Sequence, residues 1–152
     1  MRHATQTDLP TVYKLFRERK NVFPHIRKDY LERMITADKC IYEEEAIIIY
    51  NIYKVATHIG FNTRTTSGDC NLKQIIGIQG GGKTSKFLNQ FFDYLNNLPN
   101  YSGKLYLSVR SDNKRAKKFY ERNGMHKIDN TDWSNGTILG DIYFKQTKSV
   151  NT

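Results

Sequence analysis

One stretch of eight residues, 77–84, has the composition of a phosphate-binding loop. It reads GIQGGGKT and fits the pattern G-x-x-x-x-G-K-[ST] at every fixed position. Glycines let a phosphate group approach backbone amides, and the amino end of a following helix adds a favourable electrostatic potential. Nucleoside triphosphates and coenzyme A are both bound in this way. The segment therefore predicts a site for a phosphate-bearing ligand and leaves these two ligand classes open.

A magnesium-dependent nucleotide site also needs an acidic residue at the end of a second apolar strand. The segment LYLSVRSD instead places Arg110 and Ser111 before Asp112. After the glycines the chain has one further clear strand and helix before hairpin-like signals begin. A P-loop nucleotide-binding protein is therefore the less favoured alternative, because a motif of this kind needs its structural context.

The elements that must position this loop follow from hydrophobic spacing and turn residues. Helical spacing and cap residues predict a helix capped by Asp8, a second from about Arg27, a third from Thr84 or Ser85, and a fourth capped by Ser111 or Asp112. Strands are predicted at residues 2–5, 40–43, 46–55, 70–78, 104–109, 125–128 and 141–145. The order β-α-α-β-β-β-α-β-α-β-β contains no repeat and no linker. It predicts one mixed α/β domain over residues 1–147, followed by a tail at 148–152.

A second motif lies in LYLSVRSDNKRAKKFYERNGMHKI, residues 105–128. A strand ending in Val-Arg precedes Asp-Asn, then Ala three residues after the Asn, then Phe-Tyr and Asn-Gly. This pattern resembles the second cofactor motif of the GNAT acyltransferase superfamily, and RHATQTDLPTVYKLF resembles the first strand and helix of that family. Residues 79–84 also fit the family's loop [QR]-x-x-G-x-[GA], except that Thr84 replaces the final Gly or Ala.

The resemblance, to a small bacterial- or phage-like member, reaches across the chain and implies both a fold and an activity. The fold would be a central, mostly antiparallel, splayed sheet of about seven strands with about four helices. The activity would be transfer of an acetyl or related acyl group from acyl-coenzyme A to an amine within a ternary complex. An acyltransferase of this fold that modifies a DNA base is an alternative.

The resemblance also implies a binding site for acetyl-coenzyme A. Backbone groups of Ile76, Gly77 and Ile78 would bind the pantetheine arm. Backbone amides of the loop would bind the diphosphate. These loop residues are Gln79, Gly80, Gly81, Gly82, Lys83 and Thr84.

The helix after the second motif would complete the site. Asn113, Ala116 and Phe119 would contact the cofactor. Tyr120 occupies the family's usual tyrosine position and would be the general acid that protonates the departing thiolate. A face shared by Ala116, Phe119 and Tyr120 is also compatible with simple packing on the sheet.

The acceptor side is less defined by the sequence. A lysine-like amine has a pKa of about 10.4, so a base or a desolvating pocket must help to remove its proton. His25, between the first two helices, lies where the family forms its acceptor wall and is a tentative base or acceptor contact. An exposed or core histidine is the alternative. Arg27 and Gln74 are further candidate acceptor contacts, and no metal site is indicated.

The net charge of the chain indicates which kinds of partner it could bind. The chain has 24 Lys and Arg against 15 Asp and Glu, a net charge of +9, which favours polyanions. Seven basic residues and two acidic ones lie within 110–127. They are compatible with the phosphates of coenzyme A, with nucleic acid, or with a solvated helix face. A non-enzymatic basic module that binds nucleic acid therefore stays an alternative.

Two further expectations concern redox state and location. Cys40 and Cys70 are far apart and lack a metal-ligand pattern, so two buried thiols are predicted. The chain has no signal-peptide pattern and no apolar stretch of membrane-spanning length. We therefore expect a cytoplasmic protein without a membrane partner, as a monomer or homodimer.

Overall fold

The computed structural model describes residues 1–78 and 80–148. Within these residues lie seven strands, four α-helices and a short 3-10 helix, Gln6–Asp8. The strands are β1 (Arg2–His3), β2 (Cys40–Glu43), β3 (Ala46–Ile52), β4 (Cys70–Ile76), β5 (Lys104–Arg110), β6 (His126–Trp133) and β7 (Ile138–Gln146). The α-helices are α1 (Leu9–Arg17), α2 (Lys28–Thr36), α3 (Lys83–Asn96) and α4 (Lys114–Arg122). The element order is the predicted one.

The strands form one sheet in the order β1-β2-β3-β4-β5-β7-β6. Antiparallel pairs join β1 to β2, β2 to β3, β5 to β7 and β6 to β7. Strands β4 and β5 are parallel, with Cys70 opposite Leu105 and Asn71 opposite Tyr106. Parallel strands need a crossover connection, which the glycine segment and α3 supply. The predicted mixed α/β fold with a mostly antiparallel sheet is confirmed.

The contacts of the backbone divide the chain into two compact units. The first comprises Met1–Tyr50 and Gln74–Gln90, and the second comprises Asn51–Lys73 and Phe91–Thr152. The single domain predicted for residues 1–147, with its tail, stays a prediction.

The first unit has an apolar cluster built from α1, α2 and the strands. Val12, Phe16 and Leu31 are almost inaccessible to solvent, as the helical spacing predicts. Phe23 of the connection between the two helices packs edge-on against Phe16, with ring centroids 5.2 Å apart. This contact anchors the α1–α2 connection on the core. The buried members of the cluster are Ala4, Leu9, Val12, Leu15, Phe16, Leu31, Ile35, Cys40, Ile47, Ile49 and Ile76.

Two carboxylates, on β6 and β7, join segments of the second unit that are distant in sequence. Asp129 Oδ2 accepts hydrogen bonds from the backbone N–H of Asn62 at 2.8 Å and from Thr63 Oγ1 at 2.5 Å, across 67 and 66 residues of chain. These bonds hold the long loop between β3 and β4 against β6. The Thr63 bond is the main reason that the pKa of Asp129 lies below its ordinary value.

Asp141 is almost fully buried, with 1% of its surface exposed. It accepts hydrogen bonds from Ser111 Oγ at 2.5 Å and Asn130 Nδ2 at 3.0 Å, and it pairs with Lys117 Nζ at 2.8 Å. Burial favours the protonated acid, but the hydrogen bonds from Lys117 and Ser111 and the charge of Lys127 outweigh it, so the pKa is lowered. The ionised carboxylate joins the β5–α4 turn to β7.

The predicted cap of α4 is wrong, and the predicted cap of α1 is right in position only, since Asp8 is its N-cap residue. Asn113 caps α4, with its Oδ1 accepting a backbone N–H of the first turn at 3.2 Å. Ser111 is bonded to a buried carboxylate, and Asp112 is bound by the Arg110 side chain. Asp8 makes no side-chain cap bond to α1, since its carboxylate is held by Arg2 and by the Thr5 backbone N–H.

Five strands have a boundary that differs by two or more residues from the predicted one, among them β1, which ends at His3, and β7, which begins at Ile138. β3 ends at Ile52 and β4 at Ile76, earlier than expected. β6 continues to Trp133, although Asp129, Asn130 and Asp132 are poor strand formers. Hydrogen bonds with the β3–β4 loop and with β7 compensate Asp129 and Asn130 for this poor local preference. Cys40 and Cys70 are free and buried, as predicted.

Candidate functional site

The described part of the glycine loop has a backbone that requires glycine. Gly80, Gly81 and Gly82 have φ values of +90°, +64° and +70°. A Cβ atom added at any of the three would meet nothing within 4 Å, so open space lies next to the backbone. Side chains rarely tolerate this conformation, and their absence leaves the backbone accessible to a ligand. Gln79, predicted to contribute to the same loop, lies outside the described residues.

Helix α3 begins at Lys83, immediately after these glycines. The first backbone N–H groups of any α-helix lack partners within the helix and carry a partial positive charge. Lys83 is exposed, and Thr84 and Ser85 are half-buried. An open glycine turn that leads into a helix of this length fits an anionic group such as a diphosphate.

Thr84 closes the loop on itself. Its Oγ1 accepts the backbone N–H of Ile78 at 3.1 Å and donates to the Ile78 carbonyl oxygen at 2.9 Å. The Thr84 side chain also fills the space next to Gly77, where an added Cβ would lie 2.5 Å from Thr84 Cγ2. The residue that departs from the family pattern therefore occupies both backbone groups of Ile78.

Tyr120 lies in the last turns of α4 and is 7% exposed. Its ring contacts Phe119 edge-on at 5.6 Å and lies 6.2 Å from the ring of Tyr143. Burial raises the pKa of Tyr120 to about 12, so the phenol carries its proton at neutral pH. No described residue forms a hydrogen bond with its hydroxyl group. A buried, protonated phenol of this kind can donate a proton to an anionic leaving group.

The remaining predicted cofactor contacts lie within α4 or cap its amino end, and they are Asn113, Ala116 and Phe119. Asn113 Oδ1 is engaged in the cap, which leaves the side-chain amide as the group with which it would contact a cofactor. Ala116 and Phe119 are half-buried. Glu121 was not singled out in the sequence, and its Oε2 accepts the hydroxyl of Tyr143 at 2.7 Å. This bond fixes the turn of α4 that carries Tyr120.

On the acceptor side, Gln74 has a partner that the sequence did not indicate. Its Oε1 accepts a hydrogen bond from the Tyr30 hydroxyl at 2.8 Å. Burial raises the pKa of Tyr30, and the bond to Gln74 partly opposes this rise. Helical spacing places Tyr30 with the apolar residues of α2, but it does not show which polar group the tyrosine hydroxyl meets.

The two predicted residues of the α1–α2 connection are exposed. Arg27 Nε lies 3.5 Å from Asp29 Oδ1 in a solvent-exposed pair. His25 is exposed, and no hydrogen bond joins it to another described residue. The structure joins neither of them to Gln74 by a hydrogen bond or ion pair.

The groups that a magnesium–nucleotide site would use are engaged elsewhere. The Thr84 hydroxyl is bonded to Ile78, as described above. Asp112 accepts two hydrogen bonds from Arg110, from Nε and from Nη2, both at 3.1 Å. Among the described residues, no group of three or more His, Cys, Asp or Glu side chains is arranged to hold a metal ion. Nor is any described helix both long and apolar enough to cross a bilayer.

Comparison with solved structures shows which fold this is. No family model and no curated protein matches the chain. The spermidine N-acetyltransferase of Vibrio cholerae, solved with CoA and spermine, has a TM-score of 0.68 at 18% identity, over 99% of this chain and 96% of that one. The ribosomal-protein-S18-alanine N-acetyltransferase of Escherichia coli has a TM-score of 0.65 at 16% identity, over 99% and 96% of the two chains.

A GNAT-family acetyltransferase of Bacillus cereus is similar to the same degree. Its TM-score is 0.66 at 16% identity, and the match covers 95% of this chain and 94% of that one. The similarity to all three spans nearly the whole of both chains. The chain therefore has the GNAT fold, as its motifs predicted.

Proposed function

We propose that this chain, which has the GNAT fold, is an N-acyltransferase that transfers an acetyl group from acetyl-coenzyme A to an amine. The observation that carries the proposal is the open glycine turn of Gly80, Gly81 and Gly82 at the start of α3. In the GNAT fold the equivalent loop follows the fourth strand, as it does here. The similar enzymes solved from Vibrio cholerae and Escherichia coli are acetyltransferases by name, which supports the same reaction class.

Coenzyme A would be held largely by the backbone. The diphosphate would bind the amides from Gly80 to Thr84, where the helix potential favours negative charge. The pantetheine arm would bond to the backbone of Ile76, Gly77 and Ile78. Because Thr84 occupies both polar groups of Ile78, we propose that the pantetheine arm displaces the Thr84 hydroxyl when it binds. Asn113, Ala116 and Phe119 would complete the cofactor contacts.

The chemistry needs a neutral amine and a proton for sulfur. The amine nitrogen forms a bond to the thioester carbonyl carbon, and the carbon–sulfur bond breaks. Tyr120 would give its proton to the departing sulfur, and the proton lost by the amine would restore the phenol by way of solvent. The high pKa of Tyr120 keeps the proton on oxygen until a thiolate develops.

The acceptor would meet Gln74, His25 and Arg27. Gln74 is oriented by Tyr30, so its amide group is the better defined contact of the three. His25 is exposed and would act either as a base or as an acceptor contact. The basic α1–α2 connection disfavours a polycationic acceptor such as spermine and favours an amine that carries negative charge elsewhere.

Calorimetric titration with acetyl-coenzyme A, beside ATP with Mg²⁺, tests the proposal. Saturable binding of acetyl-coenzyme A alone, followed by acyl transfer to members of an amine panel, is the expected result. Binding of Mg-ATP alone would establish the nucleotide-binding alternative instead. Binding of neither would leave the GNAT fold without acyltransferase activity and favour a non-enzymatic module.

A further inference from the structure

The first unit contains a groove whose lining residues take no part in the proposed reaction. It has a volume of about 490 Å³ and lies along α1, and we call it the α1 groove. Its lining is rich in cations and contains one aromatic ring. The lining residues are Pro10, Tyr13, Lys14, Arg17, Glu18, Lys20 and Lys28.

The positive charge of the first unit is concentrated around this groove. Residues 14–28 contain six Lys or Arg residues and one acidic residue, Glu18, and Asp29 follows directly after the segment. The rest of the same unit contains five Lys or Arg residues, which its acidic residues outnumber. The positive charge of this unit is therefore concentrated at the groove, whereas the rest of the unit is net negative.

Two of the six cations are already engaged. Arg19 donates from Nη1 to the Leu15 carbonyl oxygen at 3.0 Å, and Arg27 pairs with Asp29. The other four line the groove. They are Lys14, Arg17, Lys20 and Lys28.

None of these four forms an ion pair with a carboxylate in the part of the chain that the structure describes, and this includes Glu18 of the same groove. Four cations within one groove repel one another unless anions neutralise them. A ligand with several regularly spaced negative charges provides that neutralisation.

The groove also contains an aromatic–guanidinium pair. Arg17 Cζ lies 5.6 Å from the centroid of the Tyr13 ring, within the range of a cation–π interaction. Tyr13 is half-buried and packs against the core, so the pair is held in a fixed place. Nucleobases stack on aromatic rings and on arginine side chains in proteins that bind single strands.

We propose that the α1 groove binds a single-stranded nucleic acid segment. Lys14, Lys20 and Lys28 contact its phosphates, and a base stacks on the Tyr13–Arg17 pair. An acidic peptide offers negative charge but needs apolar pockets for its anchoring side chains, and Pro10 is the only aliphatic lining residue. A duplex keeps its bases stacked inside and cannot use the Tyr13–Arg17 pair.

Salt dependence of binding tests the phosphate contacts. The probe is a fluorescent oligothymidine of about 12 nucleotides, measured by anisotropy with the full chain. Three phosphate contacts give a slope of log K against log salt of about −2.1, or a loss of roughly 20-fold between about 50 and 200 mM salt. The double variant Lys14→Gln with Lys20→Gln, which leaves one of the three contacts, should reduce the slope to about −0.7.

A charge-matched control separates the groove from net charge. The double variant Arg33→Gln with Lys54→Gln also removes two exposed cations but leaves the groove intact. Its slope should equal that of the parent protein. Equal slopes for the two double variants would overturn the proposal, because binding would then depend on net charge alone.

Variants of Tyr13 test the stacking contact. Tyr13→Phe keeps the ring and should keep the affinity, whereas Tyr13→Leu should weaken single-strand binding roughly tenfold. Equal or tighter binding of a duplex, or of a polyglutamate peptide, would overturn the assignment to a single strand. The measurements use no coenzyme A, so they remain decisive even if acetyl-coenzyme A does not bind.

Discussion

Replacing Thr84 by Val should change stability and cofactor affinity in opposite directions. Valine keeps the shape of the side chain and removes the hydroxyl, which makes two hydrogen bonds to Ile78, at 3.1 and 2.9 Å. Each intramolecular hydrogen bond contributes a net stability of about 0.5–1.5 kcal/mol, because folding exchanges bonds to water for bonds within the protein. Ile78 is half-buried, so water replaces part of what is lost.

We therefore expect Thr84→Val to lower the free energy of unfolding by about 1–2 kcal/mol. For a domain of this size, that corresponds to a fall in Tm of roughly 2–8 °C. The same change frees the Ile78 N–H and carbonyl for the pantetheine arm. If the hydroxyl competes with the cofactor, the Kd for acetyl-coenzyme A should fall by roughly 5- to 30-fold, since tenfold corresponds to about 1.4 kcal/mol.

Urea unfolding and calorimetric titration measure the two effects separately. Thr84→Ser retains the hydroxyl and lacks only the methyl group, so it is the matched control and should resemble the parent in both assays. Weaker cofactor binding by Thr84→Val would refute the reasoning, because the hydroxyl would then be a direct cofactor contact. Unchanged stability would show that the two bonds to Ile78 contribute nothing.

Three other variants test the remaining features. Tyr120→Phe should lower kcat for acyl transfer by about 10²- to 10⁴-fold while the Kd for acetyl-coenzyme A stays within about twofold, and an unchanged kcat would exclude the general-acid role. Asp129→Asn should lower the free energy of unfolding by about 2–3 kcal/mol and should speed hydrogen exchange at the backbone N–H of Asn62, which donates to the Asp129 carboxylate. Unchanged exchange would show that the β3–β4 loop does not depend on this bond. Asp8 has a pKa far below its ordinary value because Arg2 bonds it, so its contribution is present above about pH 4 and is lost as the pH falls. Urea midpoints from pH 5 to pH 2 should therefore fall more for the parent than for Asp8→Asn, and parallel curves would contradict this.

Much of the fold could be predicted because its signals are local. The Leu9, Val12 and Phe16 spacing indicates a helix wherever that segment lies, and these residues are indeed buried. The glycines at 80–82 indicate a turn because glycine, which lacks a Cβ atom, adopts positive φ more readily than other residues. The element order of the described residues follows from such patterns.

Boundaries and caps were less predictable because partners far along the chain decide them. Ser111 is an acceptable cap by residue type, but its hydroxyl is bonded to Asp141, 30 residues later. Strand β6 continues through Asp129 because residues 66 and 67 positions earlier bond its carboxylate. Propensity scales contain neither contact.

The same division holds for the candidate site. The sequence by itself determined the glycine turn and the excess of positive charge, because residue type and spacing are sufficient for each, whereas Tyr120 was singled out by the family resemblance. Only the tertiary structure decided that Thr84 bonds Ile78, that Tyr30 orients Gln74, and that four of the six cations near α1 share one groove. These arrangements depend on side chains that meet in three dimensions, where hydrogen-bond geometry and burial select the partner.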